Sequence, residues 1–309
     1  MSAYGPIFGG DVMSKLNRIE WPTVAMLAFT YLIWGVATVW LVQWSLPLAM
    51  IVVAIAGAQH SSLQHEVLHG HPTRFAWLNE AMVFPSLTVA IPYIRFRDSH
   101  LEHHQDSNLT DPYDDPETNF QDPKVWDCLP SWWKKVLGFN NTLAGRMLVG
   151  PIVAQIAFMC CDWRAIRHGK RTVLLGWLWH VPALALVVWW IVSVSSMPIW
   201  AFLVSAYVSL SILKIRTYLE HQAHDRARGR TVIIEDRGPL SLIFLNNNFH
   251  VVHHMHPKVA WYRLPKLYFG DRQRYLGLND DYRYQNYREI FQKHFFRAKD
   301  PVPHPLWPK

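Results

Sequence analysis

The sequence predicts an all-α integral membrane protein: four transmembrane helices in two hairpins, with a cytosolic helical cap carrying clusters of histidine. Three observations predict it. Two pairs of long apolar runs interrupt a chain of 309 residues that is 50% hydrophobic. The 30 Lys and Arg are confined to stretches outside and between those pairs. Finally, many of the 17 histidines recur at helical spacing just beyond the runs.

The first run covers residues 21–44, from Trp21 to Trp44, and contains no charged residue. It is long enough to cross a hydrocarbon core of roughly 30 Å. Ser45 and Pro47 break it, and a second run over 46–64 turns polar through Gln59, His60, Gln64, His65 and Glu66. One helix would thus leave the bilayer and hold a histidine cluster just above it. Residues 76–94 are interrupted by Asn79, Glu80, Pro85 and Pro92, and residues 143–161 by Arg146, Gly150 and Pro151. Both are expected to be interfacial or re-entrant. Residues 172–194 and 198–215 form the second pair, charge-free as far as Leu213 and separated by Ser195, Ser196 and Pro198. Segments 65–171 and 216–309 remain for the cap, and 1–309 reads as a single domain without repeats or Gly/Ser linkers. Met1 to Asn17 lack the pattern of a signal peptide.

Charge placement gives an independent check. No Lys or Arg falls between Ile19 and Gln64 or between Thr172 and Leu213. With two hairpins, every basic residue shares one side, which the positive-inside rule assigns to the cytosol. Had 76–94 or 143–161 crossed alone, the histidine clusters would face opposite sides. The net charge of +7 therefore points to the membrane surface and not to nucleic acid. Cys128, Cys160 and Cys161 form no CxxC pair, as suits a reducing compartment.

The clusters are His65-x-x-x-His69, His100-x-x-His103-His104 and His250-x-x-His253-His254. In a helix, positions i, i+3 and i+4 share a face. Neutral imidazole is the commonest side-chain ligand of transition metals. Eight of them are too many for one tetrahedral ion, so the pattern predicts two metals. Glu66, Glu102, Asp106, Asp111, Asp114, Asp115 and Glu220 lie within or beside the clusters and could accept the second ring N–H. Asp111-Pro112 and Asp115-Pro116 equally suit turns. His60, His71 and His256 flank the clusters as helix-terminal or supporting residues. His180 falls inside a span, where it serves function or packing. His168, His294 and His304 read as surface residues. Trp21, Trp44 and Trp200 suit the interface, Trp189 and Trp190 span packing, and Trp261-Tyr262 core or interface, with a cover over the site as the alternative.

These motifs resemble the three histidine boxes of the membrane fatty acid desaturase and hydroxylase superfamily, whose order of hairpin, box, box, hairpin, box matches over most of the chain. The resemblance implies a non-haem di-iron centre: two Fe ions (Fe2+/Fe3+) that activate O2 with two electrons from a separate donor. It implies a ninth ligand upstream of the third box, for which His221 is the candidate and His224, a surface residue otherwise, the competitor. An asparagine near the third box sometimes approaches iron through water, making Asn246, Asn247 and Asn248 candidates against a turn role. No residue beyond the metal ligands is assigned a catalytic role.

The implied function is O2-dependent desaturation of a fatty acyl chain. Hydroxylation or ketolation of a lipid or carotenoid is the alternative. His250 where a front-end desaturase carries Gln speaks against that subclass. The lack of a His-Pro-Gly-Gly motif speaks against a fused haem domain, so a separate ferredoxin, rubredoxin or cytochrome b5 type donor is expected. The chain reads as a bacterial inner-membrane protein with its boxes on the cytoplasmic side. Two rivals come from other classes. His65-Glu66-Val67-Leu68-His69 fits the HExxH helix of zinc proteases, with Glu66 as general base, but leaves two clusters unexplained. A haem-binding electron carrier needs histidines paired across spans, and only His180 lies well inside one.

Overall fold

Hydropathy and helix length pick out the same four segments in the computed structural model, which describes residues 19–105 and 109–307. Trp21–Trp44, Leu46–Leu68, Arg171–Ser193 and Ile199–Thr217 are long and apolar enough to cross a membrane. Within the first, a π turn at Ala37–Leu41 precedes the last residues, Val42–Trp44. Beside it, the Thr38 carbonyl accepts from Ser196 N at 3.1 Å and Ser195 Oγ at 2.8 Å, while Trp190 Nε1 donates to Thr38 Oγ1 at 3.0 Å. The turns of the two hairpins are thereby tied together at one end of the stem. Ser45 breaks the first hairpin as expected: its backbone is extended and its Oγ accepts from Leu48 N.

Small residues let the second and fourth spans approach closely. Ala49, Ala56 and Gly57 on the second meet Ala201 and Ser209 on the fourth within a core that includes Trp34, Leu87 and Phe202. Ser205 and Ser209 donate their hydroxyls to the carbonyls four residues earlier, so the helix satisfies them internally. The second helix runs on to Leu68, four residues beyond the expected 64, because the cap encloses its polar end. From Gln59 to Leu68 it is buried almost throughout.

The interrupted segments contain none of the four spans. Residues 76–94 give a short helix, Ala76–Met82, and the start of Tyr93–Gln105, which carries the second box. Residues 143–161 fall in Leu143–Leu148 and Gly150–Arg167. The latter exposes Ile152, Ile156, Met159 and Trp163 but buries Asp162. Asp162 accepts two hydrogen bonds from Arg95, at 2.9 Å each, and one from Trp177 Nε1 at 2.8 Å. A bidentate buried pair of this kind fixes direction as well as distance. It anchors the second-box helix to Gly150–Arg167, and Trp177 joins the third span to the same carboxylate.

The C-terminal part of the cap is built from short helices joined by turns and loops, with a two-residue parallel pairing of Ile233–Ile234 with Arg283–Tyr284. Residue His304 corrects the surface reading. It is 6% exposed, approaches Thr110 Oγ1 at 3.2 Å, and follows a segment whose Val302 and Pro303 pair with Gln121.

A side chain at Gly57 would collide with the Ser209 hydroxyl and lie 3.1 Å from Ser209 Cβ. Gly57→Ala is expected to destabilise the stem by roughly 1–3 kcal/mol, and Ser209→Gly in the same chain to restore part of that loss. Thermal denaturation in detergent checks both.

Candidate metal centre

Each box reaches the same space from a different element. His65 lies in the last turn of the second-span helix, and His69 caps it. His100, His103 and His104 lie on Tyr93–Gln105, and His250, His253 and His254 on the short helix His250–Met255. His221 follows the fourth span in an extended stretch bridged to Thr231. Before the third box, Leu245 and Asn246 take positive φ values of 49° and 54°, which turns the chain inward.

The nine histidines divide into two groups. Ring nitrogens of His65, His69, His100, His104 and His253 lie within 4.8 Å of one another, as do those of His103, His221, His250 and His254. Helix geometry explains the division. At about 100° per residue, positions i and i+4 lie about 40° apart, and i+3 falls on the other side of i. In the second box His100 and His104 join the first group and His103 the second; in the third, His250 and His254 join the second and His253 the first. The two boxes thus face each other with opposite allotments.

The donor chemistry fits metal. In the first group, Nε2 of His65, His69 and His100 is buried with no hydrogen-bond partner. In the second, Nε2 of His103 lies 3.0 Å and that of His250 3.3 Å from His221 Nε2, and His254 Nε2 lies 3.1 Å from His250 Nε2. Buried polar atoms are rarely left without partners, and a cation between these lone pairs would satisfy them together.

The opposite ring nitrogens are held from outside. His100 Nδ1–H donates to Glu117 and His103 Nδ1–H to Asp115, each at 2.8 Å, which leaves Nε2 as the inward donor atom. Asn247 Oδ1 lies 3.2 Å from His250 Nδ1, while Asn247 Nδ2 donates to Glu220 at 3.1 Å. Glu220 in turn pairs with Arg216 at 3.0 Å. Asp115, Glu220 and Asn247 therefore support the centre. Glu117 does so too and was missed by sequence reasoning; its signal was the acidic run after the second box.

Other expected partners do something else. Glu66 accepts from Trp261 N at 2.9 Å and lies 3.8 Å from His71 Nε2, so it turns away from both groups. That contact also gives Trp261 its place and leaves Glu66 unavailable as an HExxH base. Asp111 caps a turn through Tyr113 N and Asp114 N, whereas Glu102 and Asp114 are exposed. Asp106 lies outside the described residues. Asn246 and Asn248 bond to backbone carbonyls, as turn residues do. His71 donates to Glu20 at 2.9 Å; His60 meets Tyr31 OH at 3.0 Å, and His256 meets Tyr275 OH at 3.3 Å. In the third span His180 contacts the Val89 carbonyl at 3.2 Å, a packing role. The half-buried His294 meets Tyr284 OH at 2.9 Å. His168 is exposed, and His224 stands apart from both groups, beside Arg226 and Asp280.

Electrostatics keep most of the imidazoles neutral. Burial, then neighbouring imidazoles, lowers His104 and His221 to about 3 and holds His253 and His254 well below the usual range. His103 goes the other way. Burial opposes its charge, but Glu117 and Asp115 outweigh burial and raise it to about 9. Against burial, His100 and then His103 hold Glu117 well below the carboxylate range.

Four apolar helices beneath a histidine-lined cap define a membrane protein equipped to hold metal. Residues 38–286 match the family model for fatty acid desaturases, and the chain belongs to that family. It is 26% identical over 267 residues, 80% of this chain and 72% of the other, to a sphingolipid delta(4)-desaturase/C4-monooxygenase of Homo sapiens. It is an integral membrane oxidoreductase of lipid metabolism, of desaturase or hydroxylase type.

Two predictions follow from the hydrogen bonds at His103. Asp115→Asn is expected to lower metal affinity roughly 10–100-fold, and Glu66→Gln to leave it unchanged, as elemental analysis under chelator competition would show. Metal loading should also expel the His103 proton. Apparent affinity then rises about tenfold per pH unit towards about 9 and levels off above it. In the metal-free protein the raised His103 stabilises the fold below its ordinary 6.5 and loses that contribution as pH rises through about 9. Calorimetry in buffers of different ionisation enthalpy reads the proton release.

Proposed function

We propose that the chain is an O2-dependent di-iron desaturase that introduces a double bond into a fatty acyl chain. The observation that carries this reading is the division of nine histidines into groups of five and four, each with its ring nitrogens within 4.8 Å of one another. Neutral nitrogen donors suit iron, and the family match supplies the lipid context. Iron bound there would activate O2 to take hydrogen from an unactivated C–H bond.

The residues of the chain do the rest. His65, His69, His100, His104 and His253 would hold one ion, and His103, His221, His250 and His254 the other. Asp115, Glu117 and Asn247 fix the rings that present them. Burial of the boxes limits water, and the stem keeps the lipid beside the cap. The confinement of Lys and Arg to the cap side supports a cytoplasmic cap, where a separate donor would supply electrons.

Hydroxylation is the second reading, favoured by the relative whose name couples a desaturase with a C4-monooxygenase. The two outcomes differ in whether the second hydrogen is lost or the hydroxyl returns. A sphingoid chain is then the substrate to examine after acyl lipids.

Mass spectrometry of total lipids from a host expressing the chain, against a His103→Ala, His104→Ala control, tests the proposal. A lipid lighter by two hydrogens, present only with intact boxes, is the expected result. A lipid heavier by one oxygen would move the assignment to hydroxylase. Purified protein that takes up zinc but no iron would sink the di-iron reading.

A further inference from the structure

Glu66 turns away from both histidine groups, and on that side it meets a further set of donor atoms. Glu20, Glu66 and His71 each bring a ring nitrogen or carboxylate oxygen within 4.8 Å of the other two. Glu20 immediately precedes the first span, Glu66 belongs to the first box, and His71 follows that box. Glu20 N also donates to the Pro72 carbonyl at 3.0 Å, so the backbone already holds these segments together. Glu66 and His71 are each only 4% exposed.

His71 has the bonding pattern of a metal ligand. Its Nδ1–H donates to the Glu20 carboxylate, with the two oxygens at 3.0 and 2.9 Å, which leaves the lone pair on Nε2. Nε2 is buried and has no hydrogen-bond partner. It stands 3.8 Å from Glu66 Oε1, too far to bond to it, and that oxygen already accepts from Trp261 N. A protonated His71 bridging two carboxylates would instead bring Nε2–H to Glu66 at a hydrogen-bond distance. In the second box His100 shows the same pattern, with a carboxylate on Nδ1 and an orphaned Nε2. Two ligands of a tetrahedral zinc ion, each about 2.0–2.2 Å from the metal, stand roughly 3.4 Å apart. A cation between Nε2 and Glu66 thus needs only a small movement of the carboxylate.

We propose that His71 and Glu66, with Glu20 orienting the imidazole, form a third metal site for a divalent transition cation such as zinc, separate from the two histidine groups. One imidazole nitrogen and carboxylate oxygen suit zinc, and water completes the coordination. The cation has a structural task. Glu20 leads into the first span, Glu66 and His71 flank the end of the second, and Glu66 holds Trp261 behind the third box. Metal here fastens the first hairpin to the cap.

Elemental analysis of zinc taken up by the purified, iron-loaded chain tests the site. Wild type is expected to hold one equivalent of zinc more than His71→Ala or Glu66→Gln, and Glu20→Gln to bind that equivalent about 10–100-fold more weakly. Iron in the histidine groups should match the wild type in all three. Glu66→Gln keeps an oxygen that can accept from Trp261 N, so it carries the test if His71→Ala fails to fold. Added zinc should raise the melting temperature of the wild type and leave that of Glu66→Gln unchanged. Equal zinc in wild type and variants overturns the inference. So does a variant that loses the metal of the histidine groups as well, which would make the cluster a brace for the first box. A wild type that binds no iron refutes the proposed function, whereas the one-equivalent difference between wild type and variants still decides the third site.

Discussion

Nine imidazoles enclosed in one cap, with most of their inward nitrogens facing each other, is the condition on which the rest of this structure depends. Each buried nitrogen left without a partner costs about 1–3 kcal/mol. Three such atoms, on His65, His69 and His100, occur in the group of five alone. The cap tolerates them because the outward nitrogens are held where it matters, by Glu117, Asp115 and Asn247. Those partners orient the rings at a cost offset only when something occupies the inner face. With metal bound as proposed, folding and metal uptake would be coupled, since the arrangement that best holds a cation is poor without one.

The stem serves that condition. A histidine at the end of a helix is only as well placed as the helix, and four of the elements here are tied down near their boxes. The second span carries His65 and is packed by Gly57 against the fourth, from which His221 follows directly. The second-box helix is held by Arg95 to Asp162, which also accepts from Trp177 of the third span. The third-box segment is tied back by Trp261 N to Glu66 and by Trp261 Nε1 to Thr23 on the first span. Glu66 thus sits in a histidine motif without facing the metal groups. Its work is to join the first box to the third.

The spans and the box faces were legible because hydropathy and the 3.6-residue period are local properties. His221 followed from the family pattern, and the structure brings it to the group of four. What local reading could not supply was any contact set by long-range packing. The sharing of each box between two groups needs the relative rotation of helices that lie far apart in sequence. Glu117 was missed because nothing local in the acidic run singles it out, and only the folded loop shows it against His100. His304 resembled a surface residue in a Pro-rich tail, yet the pairing of Pro303 with Gln121 buries it. Polar residues near a motif look alike in sequence, and Glu66, Asp111 and Glu117 have three different roles.

The cap's two halves also depend on each other for chemistry. The group of five takes His253 from the C-terminal half, and the group of four takes His103 from the other. Neither half holds a complete set, so neither alone could form either group. The C-terminal segment extends this dependence to the end of the described chain. His304 touches Thr110, Thr110 holds Asp115, and Asp115 holds His103. A change there would reach the metal group through three short contacts, although nothing in its local sequence marks it as part of the site. In a protein whose centre is assembled from helix ends, the residues that fix those ends are as much part of the site as the ligands.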